Sequence, residues 1–108
     1  MHARVWQLHV RPGKVQDFHE ILSSLVELAR QQEGYRGVLA LGSGKSESPD
    51  VTLVGLWDSL EAMRASEDNL FVTQAIARFL ACCDGFPHIT EQELLASDFI
   101  ATGARAKE

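Results

Sequence analysis

Seven consecutive residues, Val51-Thr52-Leu53-Val54-Gly55-Leu56-Trp57, contain one polar side chain, Thr52, and run directly into Asp58-Ser59-Leu60-Glu61-Ala62. A strand with one wet face alternates polar and apolar residues; this one is apolar on both faces and must be covered on both. A chain of 108 residues has few helices with which to do so. The segment therefore predicts that a second copy of the chain covers one side of the sheet.

Composition agrees with a single packed domain. Hydrophobic residues make up 45% of the chain and charged residues 23%, which supports a core and argues against disorder over most of the length. The net charge is −5 and no basic stripe is visible, so nucleic acid and anionic membrane surfaces are excluded as partners. The N-terminus lacks a charged-then-apolar leader pattern, and no apolar run approaches the roughly 20 residues of a membrane span. A cytoplasmic protein is expected. The two cysteines, Cys82 and Cys83, are adjacent. A bond between neighbours strains the backbone severely, so they read as small buried residues of a reducing compartment. No metal site is expected, because neither CxxC spacing nor clustered histidine accompanies them.

Strands are predicted over Val5 to Val10, Tyr35 to Leu41, Val51 to Trp57 and His88 to Ala96. In the first, Trp6, Leu8 and Val10 share one face and Val5, Gln7 and His9 the other. The fourth is polar at alternate positions, as an edge strand would be. A helix is expected from Lys14 to Gln32, with Val15, Phe18, Leu22, Leu25 and Ala29 on one stripe and Gly34 as its stop. A second helix begins after Asp58, read as an N-cap with Glu61 closing a capping box. It covers Ser59 to Ser66, kinks or restarts at Glu67-Asp68-Asn69, and continues from Leu70 to Cys83. Gly42-Ser43-Gly44-Lys45 lacks the spacing and context of a phosphate loop and reads as part of a polar hairpin turn. Residues 1–100 form one domain, and residues 101–108 are expected to be a disordered tail.

The order is βαββαβ, an α+β ferredoxin-like arrangement: a four-stranded antiparallel sheet with two helices on one face. The uncovered face calls for a homodimer.

Three segments resemble a known family. Val10-Arg11-Pro12-Gly13-Lys14 with Phe18, Gln32-Glu33-Gly34-Tyr35-Arg36-Gly37, and Leu56-Trp57-Asp58-Ser59-Leu60-Glu61-Ala62-Met63-Arg64-Ala65-Ser66 are similar to the antibiotic biosynthesis monooxygenase (ABM) family of dimeric α/β barrels. The resemblance runs from about Val5 to Phe99, and its motifs mark turns and element ends rather than chemistry. It implies a homodimer joined through the open sheet face and a small-molecule cavity, in a family that includes cofactor-free oxygenases. Haem-degrading relatives use an Asn, a Trp and a His at positions matched here by Trp6, Ser66 and Ile76, so haem degradation is not expected. Relatives with a Glu-Ala-His stretch carry His where this chain has Met63, and a thioether transfers no proton.

Trp6, His9, Tyr35 and Trp57 are the candidate substrate-binding residues. Each has a plainer alternative. Trp57 either lines a pocket or anchors the second helix; Trp6 likewise lines a pocket or fills the core. His9 is the sole candidate base, or else a satisfied residue at the sheet interface. Tyr35, with Arg36, lies at a pocket mouth or plugs a turn. His2, His19 and His88 are read as exposed. The expected function is cofactor-independent oxygenation of an aromatic or quinol-type molecule, with no cofactor or metal. The alternatives are a non-catalytic binding or accessory protein of the same fold, and a stress-related dimer without ligand.

Overall fold

The computed structural model describes residues 1–42 and 47–98. The Gly42–Lys45 string lies largely outside them, as does the expected tail. Seven elements follow in order: β1 (His2–His9), α1 (Val15–Ala29), β2 (Tyr35–Gly42), β3 (Asp50–Trp57), α2 (Leu60–Ser66), α3 (Leu70–Ala81) and β4 (His88–Glu93). The four strands form one antiparallel sheet in the order β2-β3-β1-β4. This is the ferredoxin-like arrangement, with β4 at an edge. It carries three helical segments rather than two, because Asn69 caps a new helix: its side-chain oxygen accepts from the Phe71 and Val72 backbone N–H groups.

Strand pairing sets where β1 and β4 begin and end. β1 starts at His2, three residues earlier than the periodicity suggested, because His2 pairs with both Trp57 and Glu93. Arg4 is admitted into that strand by its carboxylate partners, Glu67 and Glu91. β4 stops at Glu93 rather than Ala96: its pairing with β1 ends at His2–Glu93, and beyond it only the Leu94 N–H continues, donating to the Met1 carbonyl at 2.8 Å. His2, expected in solvent, is half-buried, and its Nδ1 is enclosed without a partner among the described residues. His19 and His88 are exposed.

Helix ends also differ by a few residues. α1 winds into tighter turns after Ala29, with Gln31 N–H donating to the Leu28 carbonyl and Gln32 N–H to that of Ala29. Cys82 and Cys83 leave α3 in the same way. The N-cap of α2 is Ser59, not Asp58: Ser59 Oγ accepts from the Ala62 N–H at 3.1 Å. Asp58 instead sits just past the end of β3, its N–H donating to the Gly34 carbonyl at 2.8 Å and its carboxylate pairing with Arg36.

The core lies between one sheet face and the helices. Leu8 and Val10 from the β1 side meet Val51 and Leu53 from β3, Phe18 from α1, Phe79 from α3, and Cys82 and Cys83 just beyond its end. Phe18 and Phe79 stack with ring centroids 5.0 Å apart. Both cysteines are free thiols and buried. On the other face, Leu39 and Leu41 are 44% and 57% exposed, next to half-buried Val54 and Leu56.

Candidate functional site

Side chains alternate across β3, so Val51, Leu53, position 55 and Trp57 point toward the helices. Position 55 is glycine, and that row therefore has a gap. Its registered neighbours are Arg4 on β1 and Val38 on β2. A cavity of about 90 Å³ lies over the gap. Its floor is Gly55, Leu53 and Val38; α1 supplies one wall through Leu22, Leu25 and Val26; Met63, Val72, Ile76 and Phe79 from α2 and α3 close it. The lining is overwhelmingly apolar.

Trp6, Tyr35 and Trp57 all line this space. Trp57 is buried and meets Tyr35 edge-on, with centroids 5.4 Å apart; Trp6 meets Phe79 edge-on at 6.3 Å. The two tryptophans are thus both wall and core, since each ring has one face against packed side chains and lies beside the void. Burial pushes the Tyr35 phenol above its ordinary value of 10.0, with the Arg30 charge opposing. Tyr35 is therefore a neutral phenol at physiological pH.

His9 is on the opposite side of the sheet and does not line the cavity. Its Nδ1 lies 2.8 Å from Asp50 Oδ1 and its Nε2 2.8 Å from Ser48 Oγ. A Ser-His-Asp sequence of contacts suggests an activated serine. Here, however, Ser48 donates its hydroxyl proton to the Val10 carbonyl at 2.7 Å, so the oxygen is not poised for attack and the trio braces the β1–β3 end.

The two charged residues of the cavity lining were not site candidates in the sequence reading. Arg4 Nη1 pairs with Glu67, and Nη2 lies 3.1 Å from Glu91, which is also 3.7 Å from Arg64. Arg4 and Glu67 both line the void. A charged residue at alternate spacing with Trp6 and Leu8 was the available signal for Arg4; glycine amid bulky residues was the signal for the gap at position 55. Glu67 gave less, since acidic residues at a helix break are ordinary caps. Among the described residues, no group of three or more His, Cys, Asp or Glu is placed to hold a metal ion.

The sequence model of the antibiotic biosynthesis monooxygenase family matches residues 1–78. The chain belongs to that family. No curated protein matches the sequence. Among solved structures, several share the fold at low identity. A proposed antibiotic biosynthesis monooxygenase from Caulobacter crescentus superposes with a TM-score of 0.76 at 19% identity, covering 88% of this chain and 90% of that one. SnoaB, a cofactor-independent oxygenase from Streptomyces nogalater, gives a TM-score of 0.74 at 10% identity, covering 89% and 95%. A conserved protein from Methanosarcina mazei gives 0.73 at 19% identity, covering 85% and 91%. These likenesses show the fold over 85–89% of the chain. Among the described residues, no helix is long and apolar enough to cross a membrane.

Proposed function

We propose that this ABM protein is a homodimer that oxygenates an aromatic or quinol-type small molecule without metal or flavin. The observation that carries the reading is the apolar cavity over Gly55, walled by Trp6, Tyr35 and Trp57. Such a space excludes water and holds an aromatic ring in one orientation. A deprotonated electron-rich ring then reduces dioxygen directly. For a ring methylene, one oxygen atom ends as a carbonyl and the other leaves as water with the two hydrogens. SnoaB, a structural neighbour described as a cofactor-independent oxygenase, supports the reading. The exposed leucines of the open sheet face support the second copy, and two free buried thiols fit a cytoplasmic location.

Oxygen uptake by metal-free protein with anthrone- and quinol-type substrates is the direct test. Gly55→Ala and Gly55→Leu make it specific. A Cβ at position 55 meets Trp57 Nε1 at 3.6 Å and the Arg4 carbonyl at 4.0 Å, which are ordinary contacts. Alanine is therefore accepted, with a gain of roughly 0.5–1 kcal/mol in thermal unfolding from reduced backbone freedom. Leucine extends into the void, so uptake is lost while the circular dichroism of the fold remains. Uptake that survives Gly55→Leu places the reaction elsewhere.

The second reading is a non-catalytic binding or accessory protein. What favours it is Met63 in the cavity lining and His9 outside it, which leaves no imidazole next to a bound ring. Tryptophan quenching by the same compounds, without oxygen uptake, is its signature.

A further inference from the structure

We propose that Met63 is the movable wall of the cavity: its side chain withdraws to admit an aromatic ring and then packs its sulfur against it. The inference rests on the reading of the cavity as the ligand site and adds to it the residue that sets how much room a ligand finds.

The need for movement follows from volume. The enclosed space is about 90 Å³, short of the roughly 150 Å³ hydrocarbon cavity that accepts benzene in an engineered protein. A ring therefore enters only if part of the lining yields. Interiors are close-packed, so a lining residue yields only where its own shape allows it.

Most of this lining is braced. The floor belongs to strands tied in the antiparallel ladder, and Gly55 has no side chain to withdraw. Trp6 and Trp57 rest edge-on against Phe79 and Tyr35, and Phe79 also packs on Phe18. The aliphatic residues, apart from Ala29 and Met63, are leucine, isoleucine and valine, whose branch points confine them to few rotamers. Met63 differs. It is the one long, unbranched apolar side chain of the lining, with three rotatable bonds and a polarizable sulfur, and such a chain refits a space of changing shape. Only 1% of the residue is exposed, so its volume lies in the interior.

α2 is fastened at both ends, which assigns the movement to the side chain rather than to the helix. The Met63 N–H donates to the Ser59 carbonyl at 3.2 Å, and the Met63 carbonyl accepts from Ser66 Oγ at 2.7 Å. Ser59 caps the first turn, and Glu67 ties the last turn to Arg4. Rotation beyond Cβ thus changes the space with the backbone in place. The thioether is also a favourable neighbour for a ring, since sulfur packs well at an aromatic edge.

The chain has two methionines, Met1 and Met63. Methionine labelled with carbon-13 at its methyl group therefore gives one signal for the moving wall and one reference. On titration of the full chain with benzene, the Met63 signal is expected to shift in step with occupancy while Met1 stays fixed. Met63→Ile keeps a similar volume but locks χ1 on a helix, and should weaken benzene by about tenfold or more, the scale of two methylenes withheld from a ring. Met63→Ala removes the wall and should tighten benzene by about tenfold, because the ligand fills the hole left behind. If either variant fails to fold, the wild-type Met63 signal still decides. Equal affinity in Met63→Ile and wild type, or a Met63 signal that stays fixed while benzene binds, overturns the inference and leaves the cavity reading in place. A wild type that binds no benzene overturns both, even if Met63→Ala binds it, and so does benzene binding that survives Gly55→Leu.

Discussion

A methyl group on Gly34 would lie 2.5 Å from the Ala62 Cβ, and the residue has φ +84°, where side chains are strained. The same glycine follows the turns after α1, leads into β2 and gives its carbonyl to the Asp58 N–H. Gly34→Ala is therefore expected to lower stability by at least roughly 1–3 kcal/mol from backbone strain, with the contact added to it. Urea unfolding checks this, and Ala62→Gly in the same chain should recover the contact but not the strain. A full recovery would mean that the backbone carries no strain there. In the sequence, Gly34 read as a helix stop; α1 already ends at Ala29, and the glycine instead makes the left-handed turn into β2. Its contact with Ala62 was not legible, since it joins residues 28 positions apart. The same holds for Asp58. Local preference made it a cap, whereas pairing with Gly34 and Arg36 assigned it to the strand end and left the cap to Ser59.

Elements were readable where their hydrophobic period is long. The α1 stripe from Val15 to Ala29 and the apolar run of β3 are both present. The cavity between them was not readable, because a void is fixed by what three elements leave unfilled. Elsewhere the end of α3 is joined to the end of β1. Val10 bridges Cys83, Arg11 Nε donates to the Cys83 carbonyl at 3.0 Å, and the Arg11 N–H donates to that of Cys82. Burial raises the Cys83 thiol above its ordinary 9.0; the Cys82 thiol adds to this and Arg11 opposes it. The unfolded chain releases that proton first, so between the two values the folded state binds more protons and stability falls as pH rises. Stability is thus complete below pH 9.0, declines as pH climbs through the raised thiol value, and declines again for Tyr35 beyond 10.0. Urea midpoints across alkaline pH measure both steps. Cys83→Ala should remove the first and keep the second; a flat profile through both would show that neither group loses hydration on folding.

For the whole molecule, the apolar face of Leu39, Leu41, Val54 and Leu56 remains after the helices have covered the other side. Leu39→Glu puts a charge in that face without touching the core. Sedimentation of the wild type as a dimer at micromolar concentration is expected, with dissociation strengthened by roughly thirtyfold or more in the variant, about 2 kcal/mol at a central interface position. Unchanged thermal unfolding of the separated subunit at matched concentration would show that the fold itself is intact. A wild type that sediments as a monomer removes the homodimer. The two-faced strand was legible from the first apolar run, since its pattern needs no partner to be read.

β3 is a single ribbon with unlike neighbours on its two sides: Leu53, Gly55 and Trp57 border the cavity, and Val54 and Leu56 border the exterior. In the proposed dimer, only one backbone thickness would separate a bound guest from the second copy. A mutation that nudges this ribbon to improve the fit on one side reshapes the other, so on the proposed reading ligand preference and self-association would be constrained to drift together.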